Sequence, residues 1–323
     1  MTSSAFDDTD IYDMPESRAR RILELRLLQH YISKTSHTIP LSHKEGAVRH
    51  AWSVDVPLLA LEHDNVLYGM LSFSALHLLH FDPGNPELII ARHTYAGLAR
   101  REHSKAVATL NPKTADAVCF ASSIIFIDSF AALQGRDINP YTPPREWLQM
   151  SRGAGSVFAV ATRAVSNFEN AKILALANAQ AYYNDMGVLF AENNRASLLP
   201  LLRQDLLGEE WDDKTQQAYE RTLSYIGWVQ NLIQDGEHPQ GILGRMIAFA
   251  VLAPEKYIEC VYEGRPRALA ILVHFFALAF QAQHVWWVGT TVRREIQAIQ
   301  RVLPREWQEN IRAPLELLGL SVW

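Results

Sequence analysis

The stretch ADAVCFASSIIFIDSFAALQ, residues 115–134, decides the fold. Small and apolar side chains occupy nearly every helical face, and neither Gly nor Pro interrupts them. A helix that is apolar all round belongs in the middle of a structure. Asp116 and Asp128 break the run. Spanning a bilayer takes ~20 predominantly apolar residues, so the stretch reads as a buried core helix. A second run, residues 268–282, is shorter and contains His274, and it reads the same way.

Working outward, the spacing predicts helices almost throughout. Residues 18–34 repeat apolar positions at Ile22, Leu25, Leu28 and Ile32. Residues 63–81 and 87–110 form two more helices, separated by the stop signal Asp82-Pro83-Gly84-Asn85-Pro86. After the loop at 135–144, helices are expected over 146–165, 171–183 and 198–207. Gly153 and Gly155 within the first of these permit a close neighbour or a bend. Asp212 or Asp213 can cap a long helix running to Gln234. Further helices are expected over 240–253, 254–263, 266–287, 289–302 and 305–317. No period-two pattern with hairpin turns appears. The expectation is an all-α, compact multi-helix bundle with an internal apolar pocket, a single domain over residues 18–323 behind an acidic flexible head at 1–17.

A chain of 323 residues, 48% of them apolar, can bury a large core. Its net charge is −5 and its Lys and Arg are scattered, which is poor material for gripping phosphates. Direct nucleic-acid binding is not expected. Cys119 and Cys260 make neither a metal pattern nor a disulfide framework. The head has no basic start and no apolar core, so no signal peptide is expected there, and the localisation expected is intracellular, in cytoplasm or nucleus.

Few residues offer chemistry. His77 and His80 lie one turn apart, with His93 on the next helix, so the three could converge on a metal or an acid–base pair. No Asp, Glu or Cys stands at ligand spacing beside them, and paired structural histidines are the competing reading. Asp128, in an otherwise apolar helix, is the best acid candidate, since burial raises a carboxyl pKa unless a partner opposes it. If the chain is an enzyme, Asp128 and His77 are the catalytic candidates. No nucleophile elbow, phosphate loop or metal-diphosphate motif is present, and no metal or other cofactor is expected.

Aromatic density is more suggestive. Candidate ligand-binding residues are Phe126, Tyr182, Tyr183, Trp228, His274, Phe275, Gln281, His284, Trp286 and Trp287. Large apolar cavities are lined by such rings with a few polar groups fixing orientation. The competing reading is that aromatics simply fill a large helical core.

Several separated pieces carry a family resemblance. They are Leu27-Leu28-Gln29-His30-Tyr31, Leu71-Ser72-Phe73-Ser74-Ala75-Leu76-His77-Leu78-Leu79, Ala91-Arg92-His93 with Ala96, His284-Val285-Trp286-Trp287, Leu303-Pro304-Arg305-Glu306-Trp307, Pro314, and Leu318-Gly319-Leu320. Together they resemble the C-terminal regulatory domain of fungal zinc-binuclear-cluster transcription factors, of the sterol-uptake-regulator type. The resemblance implies a helical, dimer-forming domain with a pocket for a sterol- or terpenoid-like molecule. The family's six-cysteine DNA-binding cluster is not in this sequence, which holds two cysteines. The expected function is therefore apolar ligand binding as a sensor or co-regulator, acting as a homodimer or through a partner regulator. The alternative is a metal-independent secondary-metabolism enzyme (cyclase, isomerase or pericyclase) on the same scaffold. A regulator shortened by loss of its DNA-binding segment is a third reading.

Overall fold

A computed structural model describes residues 17–40, 46–179, 185–204 and 212–321. Among them every regular element is helical and no strand occurs. The chain divides into two compact units, residues 1–125 with 157–175, and residues 126–156 with 176–323.

The first unit opens with Arg18–Ser33 (α1), begun where the Ser17 hydroxyl accepts from the Arg20 N–H at 3.1 Å. Ala47–His50 (α2), a π-helical turn over Ala51–Asp55 and Val56–Ala60 (α3) follow. Asp64–Phe81 (α4) and Pro86–Ala108 (α5) form its main hairpin. The restart is built from Pro86 at the first helical position and the Asn85 side chain, which accepts from Leu88 N–H at 3.1 Å. Leu27, Leu71, Ala75, Leu88, Ala91 and Tyr95 close a core between α1, α4 and α5. Burying each larger apolar side chain there contributes roughly 1.5–3 kcal/mol.

Ala115–Ala131 (α6) is the all-round apolar helix. With the short turn after it, Ala115–Gln134 is long and apolar enough to cross a membrane, and most of it is buried inside the protein. Asp116, one of the two charges that interrupt the run, accepts from the backbone N–H groups of Lys172 and Ile173 at 3.0 and 2.9 Å. Arg145–Ala164 (α7) and Ile173–Ala179 (α8) follow. The division between the units falls inside α6, α7 and α8.

The second unit contains Met186–Leu189 (α9), a 3₁₀ segment over Glu192–Leu202, and Asp213–Gln234 (α10). Asp212 is the cap of α10, its carboxylate accepting from Thr215 N–H at 2.8 Å. Pro239–Leu252 (α11), Glu255–Tyr262 (α12), Pro266–Leu278 (α13), Thr291–Val302 (α14) and Arg312–Leu317 (α15) complete it. Gly227 on α10 lies against the backbone of Asn194, where any Cβ would overlap the carbonyl. Gly155 on α7 similarly admits Val251 of α11, whereas Gly153 faces open space.

Four segments differ from the sequence expectation, one of them 305–317, where Arg305–Ile311 is 3₁₀ and only Arg312–Leu317 is α-helical. Residues 47–60, for which no helix was expected, are helical with a π turn. Residues 198–207 do not start an α-helix: Leu198–Leu202 is 3₁₀ with Pro200 inside it, where the missing N–H disfavours α continuation. The helix expected over 266–287 stops at Leu278 and gives way to a 3₁₀ turn and a series of tight turns. Gln134 stabilises those turns, donating from Nε2 to the Trp286 carbonyl at 2.9 Å and accepting from Thr290 N–H at 3.3 Å.

Candidate functional site

The second unit holds a connected run of aromatic side chains drawn from α6, α7, α10, α11, α12, α13 and the turn before α14. Trp287 meets Phe130 edge-on at 5.7 Å, and Phe130 meets Trp147 edge-on at 5.4 Å. Trp147 stacks on Phe275 at 5.6 Å, and Phe275 stacks on Phe249 at 4.0 Å. From Phe249 the run branches to Tyr257 and to Tyr225, and Tyr225 continues to Trp228 at 5.6 Å. Such offset and edge-on pairs add about 0.5–1.5 kcal/mol each beyond the area they bury.

Around Trp147, Phe249 and Phe275 the polar groups are neutral; the buried Arg245 guanidinium stands at the far end of the run, 5.3 Å over the Trp228 ring and paired with Glu237 at 3.1 Å. Tyr225 donates its hydroxyl proton to the Arg245 carbonyl at 2.7 Å, and Tyr257 donates to the Ala268 carbonyl at 3.3 Å. Burial pushes the Tyr257 phenol well above its ordinary pKa, so it stays protonated. His274 is buried and its Nε2 lies 2.8 Å from the Asn310 carbonyl, which makes that nitrogen the protonated donor. Burial lowers its pKa against the opposing pull of that hydrogen bond, and the ring is neutral. The indole N–H of Trp147, a residue 1% exposed, has no hydrogen-bond acceptor among the described residues. An unmade hydrogen bond at a buried donor costs about 1–3 kcal/mol.

The expected site residues separate accordingly. Phe126, Trp228, His274, Phe275, Trp286 and Trp287 are buried. Gln281 and His284 are exposed. Their spacing from His274 would share a face only on a continuous helix, and α13 ends before them. Tyr182 and Tyr183 lie outside the described residues. Asp128 is half-buried on α6, two positions before Phe130. Trp147, Phe130 and Phe249 were not singled out in the sequence. They come from three helices distant along the chain, and nothing local distinguishes them from other core aromatics.

In the first unit His77 is buried. Its Nδ1 lies 3.1 Å from His30 Nε2 and 2.9 Å from the Thr35 hydroxyl. Desolvation, then the His30 and His80 rings, push its pKa down to about 3. His80 and His93 are exposed, and His93 does not join the pair. A second imidazole, His103, sits with Nε2 2.9 Å from the Ser122 hydroxyl, and burial pushes it down to about 4. Among the described residues no three His, Cys, Asp or Glu side chains are placed to hold a metal ion.

Comparison with known proteins places this architecture. Residues 26–154 match the fungal specific transcription factor domain. The chain is similar to the Zn(2)-C6 fungal-type transcription factor afumD of Aspergillus fumigatus, 30% identical over 79% of this chain and 66% of that protein. A Zn(2)-C6 fungal-type transcription factor of Gibberella zeae is 24% identical over 97% of this chain and 67% of its own length. Sterol uptake control protein 2 of Candida albicans is 24% identical over 80% of this chain and 36% of its own length. The matches thus span about two thirds of the first two relatives and a smaller share of the third. The all-helical chain is a fungal transcription-factor-like regulatory domain, homologous over most of its length to the Zn(2)-C6 regulators.

Proposed function

We propose that this chain is a ligand-sensing effector domain that binds a neutral, apolar molecule of sterol or terpenoid size and acts in the cytoplasm or nucleus. The observation that carries the reading is the buried Trp147 indole N–H, held among Phe130, Phe275 and Phe276 without an acceptor among the described residues. A ligand carrying one oxygen among apolar carbons would satisfy that donor and add to the ring contacts. A charged ligand would not, because the surrounding rings provide no counter-ion and an isolated buried charge is expensive. The similarity to proteins named for control of sterol uptake supports the same ligand class.

The test is native mass spectrometry of the purified chain with a rigid ketosteroid and with the matching hydrocarbon. The ketosteroid should be retained at unchanged mass, and W147F should weaken it about tenfold, the worth of one hydrogen bond, while leaving hydrocarbon binding alone. Failure to retain either compound refutes the reading. Release of an isomerised or dehydrated product would replace it with the enzyme reading, in which Asp128 becomes the first residue to vary.

A further inference from the structure

The helical run formed by α2, the π turn and α3 has two sides of opposite fate. Val48, Trp52, Val56 and Ala60, each four residues on from the last, are buried, and Trp52 meets Phe120 of α6 edge-on at 5.1 Å. His50, Val54, Leu58 and Leu61 recur at spacings of four, four and three, which is one face of a helix, and all four are exposed. Val54, Leu58 and Leu61 are 39%, 54% and 75% exposed. Single apolar residues on a surface need no explanation, but a contiguous patch rimmed by polar groups marks an interaction site.

The ridge is anchored along its length. Asp55, on the buried side, takes the Lys172 ammonium at 2.6 Å. Beyond Ala60 the turn is closed by the Leu61 and Glu62 N–H groups, which donate to the Leu58 and Leu59 carbonyls at 3.2 and 3.1 Å.

Charge is divided end to end. Arg49 and His50 stand at the start, Glu62 and Asp64 at the finish, and all four are exposed. Between His50 and Glu62 the exposed positions are Val54, Leu58 and Leu61 alone. His50 lies 4.0 Å from Asp55, yet 62% of its side chain remains open. A face that reads basic, apolar, acidic is complementary to itself when reversed. Turned about a two-fold axis level with Val56, Val54 meets Leu58 of a second copy, and in the same register His50 meets Glu62. A partner of different sequence would have to reproduce that symmetric spacing, whereas a second copy carries it already.

We propose that the Val54–Leu58–Leu61 ridge is an antiparallel contact between two copies of this chain, with Arg49 and His50 of each facing Glu62 of the other. In such a two-fold contact every pairing occurs twice. The opposite charges fix direction and register more than they add affinity. Three apolar side chains per copy sit at the small end of interfaces, so the dimer dissociates at concentrations on the order of micromolar. The contact is made by the first unit and stands whether or not the Trp147 site takes a ligand.

The test is sedimentation velocity of the full chain over a concentration series, with two charge variants at exposed positions. R49E/H50E makes the basic end acidic, and E62R puts a cation at the acidic end, so like charges meet in either homodimer. The unaltered chain should pass from monomer to dimer as concentration rises, and each variant alone should dissociate about tenfold more readily or worse. Mixing the two variants should restore the dimer, and native mass spectrometry should find one copy of each in it. L58S added to both variants should abolish the restored dimer. A monomer at every concentration overturns the proposal. So do variants that pair alone as well as the unaltered chain, a mixture that stays monomeric, or a mixed dimer indifferent to L58S.

Discussion

Arg136 and Glu295 meet side by side, Nε to Oε1 at 2.6 Å and Nη2 to Oε2 at 2.7 Å, with the carboxylate fully enclosed. The pair ties the loop after α6 to α14, and Tyr141 adds a third, longer contact at 3.4 Å. A fork of this kind is the arrangement in which a buried ion pair recovers its desolvation. Arg136→Met would leave the Glu295 carboxylate buried without its cation and should cost about 3–5 kcal/mol. The double variant R136M/E295M should lose much less. Urea denaturation of both variants checks this, and equal losses would mean that the stranded Glu295 carboxylate carries no penalty of its own.

Stability should fall on mild acidification because of His77. Folded, its pKa is about 3; unfolded, it returns to about 6.5. The unfolded chain therefore binds the extra proton throughout that window, and stability present above pH 6.5 is lost as pH falls towards 3. At pH 4 the loss from this group reaches about 3 kcal/mol at most. Denaturation midpoints of the unaltered chain and of His77→Gln, measured from pH 7 to pH 4, should diverge, with the variant losing less. Parallel curves would remove His77 as the cause.

Two glycines should respond to the same substitution with opposite signs. At Gly227 a methyl group meets the Asn194 carbonyl backbone, and overpacking of that kind costs about 1–3 kcal/mol. At Gly153, an exposed position of α7 with nothing near its Cβ, alanine gains helix propensity of up to ~1 kcal/mol. Thermal melts should therefore show G227A below and G153A above the unaltered chain.

Asp116 caps α8 from a helix distant in sequence. Its two oxygens accept from Lys172 and Ile173 N–H at the start of α8, and the Lys172 ammonium in turn bonds Asp55 at 2.6 Å. Asp116→Ala should cost about 1–2 kcal/mol, the usual loss for a cap, and should raise amide exchange at residues 172–175 ahead of the rest of the chain. Uniform exchange along the chain would count against a local capping role.

Most of the helices were legible because their punctuation is local. Pro86, Asn85, Asp212 and Pro239 act on the backbone within a turn of themselves, and the structure places helix starts there. The end of α13 had no such signal. Residues 279–288 contain neither Gly nor Pro, and the turns exist because Gln134, distant in sequence, meets the Trp286 and Thr290 backbone groups. The same locality limited the site. His274 was recognisable as a buried polar residue on an aromatic helix, but its partner is the Asn310 carbonyl, and a backbone acceptor leaves no mark in the sequence. Gln281 and His284 were grouped with it by a helical spacing that the chain abandons before reaching them. Trp147 resembled any other tryptophan, since the lack of an acceptor depends on what its neighbours in space are not.

The clasp made by Gln134 has a consequence for how this sequence can drift. Its amide is read twice, once as a donor and once as an acceptor, so glutamate lacks the N–H and asparagine lacks the length. A Cβ at position 289 would also strike the Gln134 amide oxygen, and Gly289 has a left-handed backbone with φ of +42°. Positions 134 and 289 are therefore mutually bound: in related sequences, a change at one should appear with a change at the other or with a rebuilt turn between Trp286 and Thr290.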